Sequence, residues 1–411
     1  MIKDQLIPQI RFKGFKDEWA QHELGKIGKT YSGLSGKNKN DFGHGQAKYV
    51  TYMNVFSNPV SRKEYVEPIE IDKSQSEVEY GDILFTTSSE TPEEVGMSSV
   101  WLESEKNVYL NSFCFGYRSF LKTEPYYMAY MLRSDQVRKK IKFLAQGISR
   151  YNISKNKMME INVSIPEYKE QKEIGLYFKN INKLISLEQE RYNKLINVKK
   201  SLLGKMFPKE NDKVPQIRFK EFSDDWKKSK LNEISEIIGG GTPSTSNPDY
   251  WDGDIDWYAP AEMEGKIYAN GSVRKITKIG LKNSSAKILP AHRTVLFTSR
   301  AGIGKMAVLQ REGSTNQGFQ SIVLNIGHSP YFIYSMGDLI KRKVEVISSG
   351  STFLEISGKM LGNLEIMVPK ESEQNAIARY FEILDTLITL NGKKIKKLEN
   401  VKKALLNKMF V

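Results

Sequence analysis

The sequence predicts a mixed α+β chain built as an internal repeat. It contains two similar α/β globular domains, separated by two long antiparallel coiled-coil helices and related by a pseudo-two-fold. Three observations predict this. A short motif recurs half a chain apart, a second repeat closes each half, and the segment leading into each closing repeat carries apolar residues at heptad spacing.

The opening repeat is PQIRF at 8–12 and again at 215–219, an offset of 207 (Pro8 to Pro215) that continues through Phe15/Phe222, Asp17/Asp224, Trp19/Trp226, Leu24/Leu231 and Ile27/Ile234. The closing repeat sets NVKKSLLGKMF (197–207) against NVKKALLNKMF (400–410), an offset of 203 that reaches back to Pro166/Pro369 and Gln171/Gln374. Between these framework segments the halves agree faintly: DILFT (82–86) with TVLFTS (294–299), Pro125-Tyr126 with Pro330-Tyr331, and Gly147 plus Ile153-Ser154 with Gly350 plus Ile356-Ser357. A shared scaffold thus carries two different faces. Either each face reads a different ligand of one class, or a duplicated domain has drifted.

Each half begins with short β-rich runs, Ile83–Thr87, Ser112–Tyr117 and Ile161–Ile165 in the first and Val295–Ser299, Ser321–Ile326 and Leu364–Val368 in the second, with Gly, Ser, Asn and Pro between them. A helix of about twenty residues is expected near Pro125 to Leu144 and near Pro330 to Ile347. The long helices follow. Steps of seven give Ile174, Ile181, Glu188, Leu195 and Leu202 in one, and Ile377, Leu384, Asn391, Leu398 and Leu405 in the other, each with a companion apolar seam. The one polar residue on each main seam is its third member. Glu188 and Asn391 either set the register of an antiparallel pair, at some cost in stability, or face water where the seam drifts. From Ile174 to Leu202 the rise is about 42 Å at ~1.5 Å per residue, comparable to the ~34–36 Å turn of B-DNA that separates two recognition units on one duplex face. That length predicts a bipartite target.

Charge points the same way. Lys plus Arg exceed Asp plus Glu by 62 − 48 = 14, which favours a polyanionic partner, nucleic acid first. The later halves of the helices are basic, with seven lysines and one glutamate from Asn391 to Val411; a solvated face and contact with phosphates or a partner subunit both remain open. Apolar residues beside them (Leu202, Leu203, Met206, Phe207; Leu405, Leu406, Met409, Phe410) suggest a docking surface for two equivalent partners. One cysteine, Cys114, four scattered histidines, no secretion signal and no apolar run of membrane-spanning length lead to the expectation of a cytoplasmic protein that binds neither membrane nor metal.

Polar loops supply the candidate DNA contacts: Lys37, Asn38, Lys39, Thr87, Ser88, Arg150 and Tyr151 in the first half, and Thr242, Ser244, Ser299, Arg300, Lys305, Gln317, Ser351 and Thr352 in the second. Arg150 and Arg300 lead them, because a guanidinium grips a guanine edge with two hydrogen bonds. Catalysis is argued against. Asn247-Pro248-Asp249-Tyr250 resembles a methyltransferase motif but lacks a preceding glycine-rich turn, and Gly302-x-Gly304-Lys305 lacks the Ser or Thr of a phosphate loop. The alternative function is a self-sufficient metal-dependent endonuclease using Asp249, Glu264 and Lys266, whose pattern has no counterpart in the first half.

From Ile7 to Val411 the chain resembles the specificity (S) subunit of type I restriction-modification systems. The residues that carry the resemblance are the paired PQIRF openings with their Phe and Trp, GGTPSTSNPDYWDGDIDW (240–257), LFTSRAGIG (296–304) and the repeated helices ending in KMF. The resemblance implies target recognition domains at 1–165 and 208–368, and conserved spacer helices at 166–207 and 369–411. It implies a non-catalytic chain that reads a split, asymmetric double-stranded DNA sequence and binds no cofactor itself. Two modification (M) subunits would hold S-adenosylmethionine and methylate adenine; restriction (R) subunits would use ATP and Mg²⁺. The family's glycine-rich opening stands clear at Gly239 to Ser244, whereas Tyr31-Ser32-Gly33-Leu34-Ser35-Gly36 stands in its place in the first half, and Thr298-Ser299-Arg300 aligns only loosely with Thr86-Thr87-Ser88.

Overall fold

The repeated residues at the chain's two openings lock onto the first turns of its two long helices. In the computed structural model, which describes residues 6–209, 212–300, 302–348 and 355–411, the long helices are Tyr168–Leu203 and Glu371–Lys408. Arg11 Nε and Nη2 donate to the two carboxylate oxygens of Glu170 at 2.7 and 2.8 Å, and Nη2 also donates to Asp17 O at 2.7 Å. Arg218 repeats this on Glu373 at 2.8 and 2.8 Å, and on Asp224 O at 2.5 Å. Both carboxylates are buried, so the pairs are bidentate, charge-assisted and poorly screened. The neighbouring glutamines complete the joint. Gln171 Nε2 donates to Pro166 O and its Oε1 accepts from Glu124 N, while Gln374 binds Pro369 O and Ser329 N in the same way.

By packing, the chain divides into two units, Met1–Glu190 with Lys393–Val411, and Arg191–Gly392. The first holds an antiparallel sheet in the order Gly28–Ser32, Cys114–Ser119, Ile83–Thr86 and Ser98–Val100. Its second sheet pairs Phe42–Val50 antiparallel with Val66–Ile69 and parallel with Val108–Leu110. A ribbon joins Ala20–Glu23 to Asn162–Ile165. The second unit follows the same plan, with a five-stranded sheet (Ser235–Gly239, Gln320–Leu324, Thr294–Phe297, Met306–Leu309, Tyr268–Ala269), a three-stranded sheet (Arg274–Ile276, Trp251–Tyr258, Gly313–Thr315) and a ribbon of Lys227–Lys230 with Glu365–Val368. The centrally placed strands Ile83–Thr86 and Thr294–Phe297 are buried at every residue, three of the four in each being apolar.

All six expected strands form, with shifted ends. The expected twenty-residue helices do not. The first breaks into Pro125–Met131 and Asp135–Phe143, because Ser134 stops one helix and caps the next, its hydroxyl accepting from Val137 N. Arg133 holds that break open by donating to carbonyls of Ser98, Val55, Phe56 and Asn58. The second breaks into Pro330–Ser335 and Gly337–Ser348 beside Gly337, a poor helix-interior residue.

Within each unit two helix segments run antiparallel. In the first, Phe178 stacks on Phe410 with ring centroids 5.5 Å apart, and Glu188 pairs with Lys394 at 2.5 Å, so one residue number rises as the other falls. In the second, Phe381 meets Phe207 at 6.1 Å and Asp385 pairs with Lys199. Glu188 and Asn391 are 8 % and 7 % exposed, so neither faces water. The companion seam is mixed: Phe178, Phe381 and Ile395 are buried, while Tyr177, Leu184 and Val198, with their repeats Tyr380, Leu387 and Val401, are exposed.

The KMF ends correct the expectation of an open docking surface. Met206 and Phe207 are buried among Trp226, Phe332 and Phe381, and Met409 and Phe410 among Trp19, Tyr127 and Phe178. These side chains belong to the cores, and a partner has no access to them. Phe410→Ala should therefore destabilise the first unit by about 3–5 kcal/mol, the usual cost of deleting a buried phenyl ring. Amide exchange should accelerate around Trp19 and Tyr127 and stay unchanged around Trp226 and Phe332.

Candidate nucleic-acid interface

At one end of the central strand in each unit, three loops are tied together by the same backbone bonds. In the second unit the strand leaves the sheet at Thr298. Thr298 N donates to Lys305 O (3.0 Å), its Oγ1 accepts from Lys305 N (2.9 Å), Ser299 N donates to Gly318 O (2.8 Å) and Ile356 N donates to Ser299 O (3.1 Å). In the first unit Thr86 N donates to Met97 O (2.9 Å), its Oγ1 accepts from Met97 N (3.0 Å), Thr87 N donates to Phe113 O (3.0 Å) and Ile153 N donates to Thr87 O (2.9 Å). The bonds align Thr86-Thr87-Ser88 with Thr298-Ser299-Arg300.

They also place the degraded glycine motif. Gly33 N donates to Cys114 O and Leu34 N to Leu110 O, while Gly240 N donates to Phe319 O and Gly241 N to Thr315 O. A Cβ on Gly33 would lie 2.1 Å from Asn111 O, and one on Gly240 would lie 1.8 Å from Asn316 O. Gly33 is therefore the counterpart of Gly240. Both positions need glycine for close backbone approach, with no left-handed conformation involved. The asparagines opposite are equivalent too, since Asn111 Oδ1 accepts from Phe113 N (2.9 Å) and Asn316 Oδ1 from Gly318 N (2.8 Å).

The candidate contact residues fall into groups. Thr87, Ser88, Arg150 and Tyr151 converge: Arg150 Nη2 donates to Ser88 Oγ at 3.2 Å, its guanidinium lies 5.9 Å from the Phe113 ring, and Tyr151–Asn152 pairs with Ser88–Ser89. Arg150 is exposed and Ser88 buried. Tyr52 OH donates to Ser88 O at 2.6 Å beneath them, and burial raises its pKa. Lys37, Asn38 and Lys39 form a separate turn, in which Asn38 caps Lys39–Asp41 and Lys37 pairs with Asp72 at 2.7 Å. That ammonium, with the hydroxyl and amide of Ser74, holds the Asp72 carboxyl well below the usual carboxylate range.

In the second unit Thr242 is bonded to Gln317, Ser244 Oγ meets Ser246 Oγ at 2.8 Å, and Arg300 is half-buried. Ser299 is fully buried, and its hydroxyl finds no partner among the described residues. Lys305 is ion-paired with Glu264, whose carboxyl it holds below its ordinary pKa. Ser351 and Thr352 lie outside the described residues. Sequence reading picks out the loop Asn316-Gln317-Gly318 but misses its counterpart with Asn111 and Phe113, although Asn-Ser-Phe (111–113) and Asn-Gln-Gly (316–318) begin alike at equivalent places.

The endonuclease alternative is not supported. Asp249 sits exposed in a short turn, Pro248–Tyr250, and Glu264 is bound to Lys305. Among the described residues no group of three or more His, Cys, Asp or Glu could hold a metal ion.

A scan against family models matches residues 16–197 and again 223–400 to the type I restriction modification DNA specificity domain. The chain belongs to this family. The family's domains are DNA specificity domains, recognition components and not catalysts. The chain is 36 % identical over 191 residues to the type I restriction enzyme MjaIX specificity subunit of Methanocaldococcus jannaschii, and in that match it spans 46 % of its own length and 44 % of the relative's, less than half of each. To the putative MjaX specificity subunit of the same organism it is 26 % identical, over 98 % of this chain and 96 % of that one. Among solved structures, the S subunit of the type I restriction-modification system of M. genitalium shares the fold, with a TM-score of 0.54 at 14 % identity over 98 % of this chain and 99 % of that one. No helix among the described residues is long and apolar enough to cross a membrane.

For this specificity chain the glycine contacts yield a test. Gly240→Ala should push the Asn316 loop outward, and exchange of the Gly241 amide, bonded to Thr315 O, should rise at least about tenfold, the signature of a local opening made easier by ~1.4 kcal/mol. Hydrogen exchange read by mass spectrometry measures it.

Proposed function

We propose that this chain is the non-catalytic specificity subunit of a type I restriction-modification complex, and that it reads a split, asymmetric double-stranded DNA sequence with one half-site per unit. The observation that carries the reading is the loop knot built twice from the same backbone bonds with different side chains around it, in a chain of the DNA specificity family. A common frame with unlike contacts suits two unlike half-sites. Exposed Arg150, half-exposed Arg300 and an excess of 14 positive charges suit the groove and its phosphates.

The finer assignments follow the same reading. Recognition belongs to residues 1–165 and 208–368, and spacing to the helical segments 166–207 and 369–411. Two M subunits supply S-adenosylmethionine and adenine methylation, R subunits supply ATP- and Mg²⁺-dependent cleavage, and the assembly works in the cytoplasm. Equivalent docking of two partners is favoured by apolar residues exposed at matching places on both helices, Tyr177, Leu184, Leu187 and Val198 against Tyr380, Leu387, Leu390 and Val401. On this reading the cofactors belong to the partner subunits and none to this chain.

The test is co-expression with a cognate M subunit in a methylation-free bacterial host, followed by mapping of methylated adenines across the genome. The expected result is one bipartite motif with a fixed unspecified gap. An assembled, folded complex that methylates no motif would refute the reading. The buried seam residues give a second outcome: with Glu188 and Asn391 both replaced by leucine, the loss of the Glu188–Lys394 pair should let the helices slip, broadening or changing the gap while each half-site keeps its sequence. An unchanged gap would remove the register role.

A further inference from the structure

The Phe113 ring belongs to no hydrophobic core among the described residues; the group set against it is the Arg150 guanidinium, 5.9 Å away. The backbone of Phe113 does the structural work of the loop: its N–H donates to Asn111 Oδ1 (2.9 Å), and its carbonyl accepts from both Thr87 N (3.0 Å) and Thr87 Oγ1 (2.8 Å). The side chain, 55 % exposed, stands outside the core on a fixed stem. At the equivalent position the second unit has Gly318, where a Cβ would meet Pro260 Cγ at 2.8 Å and Asn316 Oδ1 at 3.0 Å, so a side chain there would have to displace the proline ring. The second unit instead has Arg300 where the first has Ser88. The same frame thus presents an aromatic ring with an arginine from a distant loop in the first unit, and in the second an arginine on the strand end beside a glycine, the loop 349–354 lying outside the described residues.

Resting on the DNA-reading function proposed above, we propose that Phe113 is a specificity-determining residue of the first unit, packing its ring against the C5-methyl of a thymine beside a guanine gripped by Arg150. Thymine is the base that offers an apolar group in the major groove, and guanine O6 and N7 are the preferred partners of a guanidinium. Arg150 is held for that task by Ser88 Oγ at 3.2 Å and by the ring at 5.9 Å. Base pairs stack ~3.4 Å apart, so two groups at that separation reach base pairs one or two steps apart. An aromatic ring with few rotatable bonds loses little entropy on contact, and its pinned backbone loses less still.

The experiment uses the complex with M subunits and a duplex carrying the mapped target. Each thymine of both half-sites is replaced in turn by deoxyuridine, which removes the methyl group and leaves the hydrogen-bonding pattern. Wild-type complex should lose about fourfold in affinity at one thymine, the weight of one buried methyl, and should lose nothing comparable at a neighbouring thymine outside the contact. The Phe113→Ala complex should bind the thymine and deoxyuridine duplexes equally, while its methylation map keeps the other half-site and the gap. Phe113→Leu, which restores an apolar surface, should regain part of the discrimination. The inference is overturned if no thymine is sensitive, or if the sensitivity persists in Phe113→Ala. A complete loss of binding by Phe113→Ala that Phe113→Leu does not relieve would also overturn it, since the residue would then be structural. Failure of the DNA-reading function itself shows earlier and separately, as a wild-type complex with no motif at all.

Discussion

The bidentate pairs Arg11–Glu170 and Arg218–Glu373 are the constraint on which the rest of the architecture depends. Each lies where an opening arm, a ribbon and the first turn of a long helix meet, and each carboxylate is buried with its charge matched by two donors at 2.7–2.8 Å. A buried pair of this kind adds modest net stability, because desolvation offsets the Coulomb gain. Losing one partner is costly, because the other is left as a bare charge. The pair therefore acts as a geometric specification. It sets the direction in which the helix leaves its sheet, and Gln171 or Gln374 adds a second tie to the short helix beginning at Pro125 or Pro330.

That direction matters because of what lies at the helices' far ends. The helix that starts at Tyr168 in the first unit continues into segment 191–203 of the second, where Met206 and Phe207 enter a core with Trp226 and Phe381. The helix that starts at Glu371 returns segment 393–408 to the first unit, where Met409 and Phe410 do the same with Trp19 and Phe178. Each core is completed by the end of the helix begun in the other unit. The lysines of these segments are then placed by packing, as Lys199 on Asp385 and Lys394 on Glu188 show.

The features legible in the sequence are those with a period or a repeat. Heptads at Ile174 and Ile377, the strands around Leu84 and Leu296, and the duplication itself all follow from spacing, and spacing is a local property of the chain. What was not legible depends on which atoms meet. The KMF tails read the same whether they are buried or displayed, since apolarity gives no address. The helix from Pro125 keeps an apolar period through its break, and the signal that ends it, Ser134 before Asp135, is a capping preference weaker than that period. The two loop knots were matched loosely by residue type because their likeness is in backbone bonds. Gly33 and Gly240 share a neighbour's carbonyl at 2.1 and 1.8 Å from an imagined Cβ, and the residues on either side of them differ.

The same division accounts for why contact residues are the hardest to read. The knot's bonds are made by backbone groups and by Thr86, Thr298, Asn111 and Asn316, leaving the side chains of Ser88 or Arg300, and of Phe113, outside those bonds. Freedom of that kind lets a specificity protein change its target without changing its shape. It is limited at single points, however. Pro260 crowds any side chain at Gly318, and Glu264 already engages Lys305. On the proposed DNA-reading function, a new specificity in the second unit would come from Arg300 or Gln317, and in the first from Phe113, Ser88 or Arg150. The two faces differ because the same backbone has closed different positions to variation in each unit.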